Sequence, residues 1–199
     1  MSLPVFHPAD LLRLPSAFDD ERFIFELKHD GFRALAYVTP GACRLVSRRE
    51  NVYKSFRPLC ESLATLEGPA VLDGEIVTLD ASGRPQFYDL LRRRGAPIFY
   101  AFDCLWHDGK DLRAVPLLQR KQTLERIVRA HPSVLFAQHV ESLGCQLFNI
   151  VREQDLEGIV AKRKGAAYGV DWFKIRNPGY SQYEGRRELF EKRLSRASK

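Results

Sequence analysis

Two runs rich in aromatic and β-branched residues, Phe23-Ile24-Phe25-Glu26-Leu27 and Ala34-Leu35-Ala36-Tyr37-Val38, are separated only by Lys28-His29-Asp30-Gly31-Phe32-Arg33. Such runs read as strands, and Asp-Gly between them reads as a turn, so the spacing predicts a β-hairpin-like pair with a charged corner. Glu26 and Lys28, two apart on an extended chain, project from the same strand face. Arg33 stands at an odd offset from Lys28 and reaches the same ligand only because the turn intervenes.

The rest of the chain repeats short strands more often than it inserts helices. Cys43 to Ser47, Val71 to Val77, Ile98 to Asp103, Val134 to Ala137, Gly158 to Lys162 and Asp171 to Ile175 carry strand-like composition. Helical spacing occupies Phe56 to Leu66, Tyr88 to Arg94, Leu117 to Ala130 (opened by Pro116) and Leu143 to Val151. Strands outnumber crossover helices and several adjoin directly, which predicts an α+β fold of largely antiparallel sheets flanked by helices. With 45% hydrophobic residues in 199, the chain is long enough for one substantial core.

Cys43, Cys60, Cys104 and Cys145 are widely spaced, with no paired Cys-x-x-Cys and no adjoining histidines. They read as reduced, mostly buried thiols rather than zinc ligands or a disulfide frame, which suits the cytoplasm. No apolar stretch is long enough to span a membrane, and the start of the chain lacks a charged, then apolar, leader. A net charge of +6 favours a polyanionic partner such as nucleic acid.

Lysine is mostly protonated at neutral pH, so one that acts as a nucleophile must be buried or crowded by positive charge. Lys28 beside Arg33 suits attack on a nucleotide phosphate, because a guanidinium holds phosphate oxygens well. Further along, Ser47-Arg48, Leu72-Asp73-Gly74-Glu75, Phe102-Asp103-Cys104-Leu105, Glu157-Gly158-Ile159-Val160-Ala161-Lys162 and Trp172-Phe173-Lys174-Ile175-Arg176 follow in order. Together with Lys28 to Arg33, these segments resemble the nucleotidyltransferase motifs of ATP-dependent DNA ligases, in a superfamily that includes RNA ligases and mRNA capping enzymes.

The resemblance implies an ATP-grasp-like nucleotidyltransferase domain in which Lys28 becomes adenylated. It implies that Glu26 contacts the adenine, that Phe102 stacks on it, and that Arg33 and Arg48 hold ribose and phosphates. Glu75 and Glu157 would serve ribose or Mg²⁺. Lys162, Lys174 and Arg176 would place positive charge at the α-phosphate, and Lys174 and Arg176, alternating on one strand, can face one site. Arg176 stands where lysine is commoner, and the stretch between Tyr168 and Trp172 lacks a Gly-Arg-Ser element that many relatives carry.

The residues after Arg176 are too few for the OB-fold that such enzymes normally append. The expected organisation is an adenylation domain over residues 1–180, then a basic tail over 181–199, helical between Tyr183 and Arg196, with no OB-fold. The expected function is ATP- and Mg²⁺-dependent charging of Lys28, followed by transfer of AMP to a DNA 5′-phosphate in strand-break sealing, with a protein partner supplying the OB-fold's role. Two other readings stay open on the residues alone: a non-catalytic module binding nucleotide or DNA ends, and RNA ligation or GTP-dependent capping.

Overall fold

In the computed structural model, which describes residues 3–183, the chain after Leu27 does not turn back on itself. It leaves one sheet and enters another. The elements in chain order are β1 (Leu12–Arg13), β2 (Asp20–Leu27), β3 (Phe32–Thr39), β4 (Ala42–Ser47), α1 (Arg57–Leu63), β5 (Ala70–Val77), α2 (Phe87–Leu91) and β6 (Ile98–His107). Then come β7 (Lys110–Asp111), α3 (Leu117–Val128), β8 (Val134–Phe136), β9 (His139–Ser142), α4 (Gly144–Glu153), β10 (Gly158–Arg163) and β11 (Trp172–Arg176).

One sheet has the order β1-β11-β10-β2-β9, and the other β4-β3-β5-β6-β7 with β8 paired to β6. Among the described residues only the β1–β11 and β6–β8 pairings are parallel. The α+β, largely antiparallel architecture read from the sequence is therefore the architecture found. The hairpin between β2 and β3 is not: β2 pairs with β10 and β9, while β3 pairs with β4 and β5.

The physical reason lies in what β2 must bury. Phe23 and Phe25 pack beneath α4 with Val151, Ile159 and Ile175, while Ile24 and Glu26 on the opposite face are also buried. A strand covered on both faces needs a neighbour at each edge, and β10 and β9 supply them. At the corner, Gly31 sits so close to β5 that a Cβ there would lie 2.3 Å from the Ile76 carbonyl. Only glycine lets the backbone approach this far.

The second sheet buries its own core of Ala34, Leu45, Leu63, Leu72, Ile76, Phe99 and Leu124 under α1 and α3. The helix expected over Tyr88 to Arg94 stops at Leu91, and Arg92 to Arg94 form an exposed turn with Arg93 at φ 58°. All four cysteines are free, but only Cys104 is fully buried; Cys43, Cys60 and Cys145 are half-buried, against the mostly buried expectation. Apart from Tyr183, the basic helix expected up to Arg196 lies outside the described residues. Among the described residues no helix is long and apolar enough to cross a membrane.

Candidate active site

Strand register brings the charged residues of the first sheet onto one face. Across the sheet, Val160 pairs with both Glu26 and Lys174, and Gly158 pairs with Arg176 while its carbonyl accepts the Lys28 amide at 2.9 Å. Residues level across a sheet share a face, and those two apart along a strand share it too. Glu26, Lys28, Lys162, Trp172, Lys174 and Arg176 thus belong to one surface.

The second sheet presents its own row to this surface. Arg33, Glu75 and Tyr100 are level across β3, β5 and β6. Between the sheets lies a cleft with about 440 Å³ of empty space, lined by Glu26, Lys28, Arg33, Glu75, Phe102, Lys162 and Trp172 among others. Lys28 also borders a second, adjoining cavity, together with Glu157. Arg48, Lys174 and Arg176 line neither.

Lys28 Nζ lies 2.8 Å from both carboxylate oxygens of Glu157, which is 5% exposed. Arg33 is not free to swing: its Nε and Nη2 each donate to Asp73 at 2.7 Å, and the Tyr168 hydroxyl donates to the same carboxylate. The guanidinium then lies 4.7 Å from the centre of the Phe102 ring. Lys162 Nζ sits between the rings of Phe102 and Trp172, at 4.4 and 4.1 Å, and reaches Glu26 Oε2 at 2.6 Å.

Glu75 differs from these paired groups. No hydrogen bond or ion pair with the described residues engages it. Burial pushes its carboxyl up to about 7; Lys28 and Arg33 pull against that, while Glu157 and Asp30 reinforce it. Partial burial, and then the charges of Arg176, Lys28 and Arg48, depress the Lys174 ammonium. These cations therefore stand near enough to feel one another. Arg48, on the exposed turn after β4, is held by Asp10 at 2.5 Å, and Arg176 Nη1 donates weakly to the Tyr183 hydroxyl at 3.4 Å.

Several residues that build this site do not stand out in the sequence. Lys121 Nζ reaches Glu26 Oε1 at 2.5 Å and the Ala137 carbonyl at 2.8 Å, and Arg120 pairs with Asp103. Helical spacing held a signal for both: 120, 121, 124 and 128 follow Leu117 at i+3, i+4, i+7 and i+11, which places two basic residues on the buried stripe. His29 has both ring nitrogens buried without a hydrogen-bond partner, and burial, with the Lys28 charge, lowers its imidazole to about 4. Nothing in its sequence position marks that.

As a chemical arrangement, the cleft offers a lysine beside a carboxylate, an apolar and aromatic end floored by Glu26 and Lys162, an unpaired carboxylate and a rim of cations. Among the described residues no group of three or more His, Cys, Asp or Glu side chains is placed to hold a metal ion by itself. Any cation held by Glu75 and Glu157 would need further oxygens from a bound phosphate or from water.

A family model described as "ATP dependent DNA ligase domain" matches residues 11–176. The SPbeta prophage-derived DNA ligase-like protein LigB of Bacillus subtilis is 30% identical over 186 residues, spanning 88% of this chain and 68% of that protein. The multifunctional non-homologous end joining DNA repair protein LigD of Mycobacterium tuberculosis is 37% identical over 153 residues, 74% of this chain but 20% of its own length. Among solved structures, mycobacterial DNA ligase D complexed with ATP and MES superimposes with a TM-score of 0.75 at 32% identity, over 86% of this chain and 60% of that one. By sequence and by fold, the chain belongs to the ATP-dependent DNA ligase domain family.

Proposed function

We propose that Lys28 attacks the α-phosphorus of ATP, releases pyrophosphate and carries AMP as a phosphoramidate, which then passes to a DNA 5′-phosphate during strand-break sealing. The observation that carries this reading is the Lys28–Glu157 contact, with Lys28 bordering both the cleft and the adjoining cavity. A lysine attacks only as the neutral amine, and Glu157 is the carboxylate within reach of its proton. Lys174 and Arg176, level with Glu26 and Lys28 on the same face, place positive charge where the five-coordinate phosphorus gains negative charge. Arg48, on the rim, would hold ribose or phosphate oxygens after exchanging Asp10 for them.

The base goes to the aromatic end, against Phe102 and above Glu26. Glu75 and Glu157 fit a divalent cation, Glu75 because it is a half-buried carboxylate without a cationic partner. Bound Mg²⁺ would neutralise charge on the triphosphate. Arg33, locked by Asp73, supplies a fixed donor rather than a mobile one. The chain spans about a fifth of LigD, so strand sealing on DNA, and any protein partner in it, are part of this proposal.

Incubation of the full chain with α-labelled ATP and Mg²⁺ is expected to give an acid-labile labelled protein, and Lys28→Ala to abolish it. The label is expected to leave the protein when nicked DNA bearing a 5′-phosphate is added. An unlabelled wild-type protein that binds ATP tightly would overturn the covalent step and leave a nucleotide-binding module. Stronger labelling with GTP than with ATP would move the reading toward capping chemistry.

A further inference from the structure

The base end of the cleft holds a charged assembly that the covalent step does not use. Glu26 is 3% exposed and lies between two buried ammonium groups: Lys121 Nζ at 2.5 Å from Oε1 and Lys162 Nζ at 2.6 Å from Oε2. Lys121 is 2% exposed and does not line the cleft. It comes from α3, outside every segment that matches the nucleotidyltransferase pattern, and is fixed from behind by the Ala137 carbonyl at 2.8 Å and the Phe136 ring at 4.5 Å. Glu26 thus has a second buried cation beside Lys162, held in place by contacts of its own.

Resting on the placement of the α-phosphate at Lys28, the geometry locates the base. Glu26 is two residues before Lys28 on the same strand face, roughly 7 Å away along the strand. The cleft there is walled by Phe102, Tyr100, Trp172 and Ala137, and the Glu26 carboxylate and the Lys162 ammonium are among its polar groups. Each carboxylate oxygen has two lone pairs; Lys121 donates a hydrogen bond to Oε1, and Lys162 lies against Oε2 as an ion pair, so Glu26 can still accept a hydrogen bond from the base.

We propose that Lys121, acting through Glu26, makes this site select a base bearing a 6-amino group over one bearing a 6-keto oxygen. An ionised carboxylate only accepts hydrogen bonds. It accepts from a 6-amino group and repels a 6-keto oxygen. A buried carboxylic acid that keeps its proton would instead donate to the keto oxygen, and the distinction would vanish.

Burial drives Glu26 toward that neutral form, and Lys121 and Lys162 together outweigh it, holding the carboxyl below its usual range. Lys162 is itself depressed, by burial first and also by the Lys121 charge, while Glu26 and Asp103 pull it back up. Of the other titratable groups facing Glu26, Lys28 adds positive charge from two residues along the same strand face, and it is absent from the Lys28→Ala protein. The rest add none at neutral pH. Tyr100 on β6 is a phenol, His29 at the corner is held to about 4, and His139 on β9 is lowered by burial and by Lys121. Lys121 is thus a positioning residue: it touches no ligand and fixes the charge and direction of the group that does.

The test compares ATP with inosine triphosphate, which carries a keto oxygen at position 6. Binding of each to the full chain is measured by calorimetry with Lys28→Ala, so that no covalent step intrudes. That protein is expected to prefer ATP by about tenfold or more, and addition of Lys121→Met to shrink the ratio below about threefold, through weaker ATP and unchanged or tighter inosine triphosphate binding. A merely structural role would weaken both nucleotides alike and leave the ratio standing, which would overturn the proposal. So would a Lys28→Ala protein that prefers neither. If Lys121→Met has no cooperative melt, Lys121→Gln, which keeps a donor against Glu26 but not the charge, is expected to shrink the ratio in the same way, and an unchanged ratio there overturns the idea. Failure of wild type to form an adduct with ATP would count against the covalent function alone, because the binding ratio is read without it.

Discussion

Asp103 and Glu75 are carboxylates on neighbouring strands of one sheet, and their surroundings are opposites. Asp103 is fully buried and fully satisfied: Arg120 donates to both oxygens at 2.8 and 2.9 Å, and the Cys104 amide donates at 2.8 Å. Arg120 Nη1 donates in addition to the carbonyls of Val115 and Ala166. Glu75 lines the cleft with no such partner, its carboxyl pushed up to about 7 by burial. The first belongs to the scaffold, tying α3 to β6. The second faces the cleft with no hydrogen bond or ion pair among the described residues.

The largest expected effect follows from breaking the closed pair. Arg120→Met leaves Asp103 buried and uncompensated, and denaturant unfolding is expected to register a loss of about 3–5 kcal/mol. A loss within error would remove Asp103 from the scaffold side of the contrast.

Glu75→Gln sharpens the same contrast with the opposite sign. The unfolded chain releases this proton near the ordinary value of 4.5, and the fold holds it until about 7. A raised carboxyl makes the fold less stable as pH climbs through that window, with the full cost present above it. Glu75→Gln is therefore expected to stabilise the protein by about 1–3 kcal/mol at pH 8 and to change nothing at pH 4, while charging with ATP declines. Equal melting temperatures for the two proteins at pH 8 would break the argument.

The smallest structural effect is expected at Arg48, whose pair with Asp10 joins side chains that are 67% and 74% exposed. Exposed pairs contribute little, so Arg48→Ala should leave unfolding unchanged. Its effect belongs in the KM for ATP, raised severalfold at unchanged stability. A clear loss of stability would mean that Arg48 serves the fold.

What could be read from the chain was whatever local pattern controls. The alternating apolar runs mark β2, β3, β5, β6 and β10, and Pro116 marks the start of α3, because period and backbone restriction are properties of neighbouring residues. The short β1 and β9 carry too little pattern to detect and exist because the edges of β11 and β2 need partners. The β2–β3 hairpin failed for a related reason. Asp30-Gly31 permits reversal, but the double burial of Phe23 to Glu26 and the close approach of Gly31 to Ile76 are tertiary facts. Within the site, the order of segments marks Lys28, Glu157 and Lys174. Asp73, Lys121 and Tyr168 act by holding other side chains, and their contacts cross 40, 95 and 95 residues of chain, respectively.

The corner at Gly31 has a mechanical consequence. Lys28 hangs from the end of one sheet and Arg33 from the start of the other, so a ligand that grips both ends fastens the two sheets across their seam. Nucleotide should therefore act as a rivet, slowing amide exchange in β3 and β5 as much as in β2 and β10, although the covalent bond proposed for it would form on one side alone.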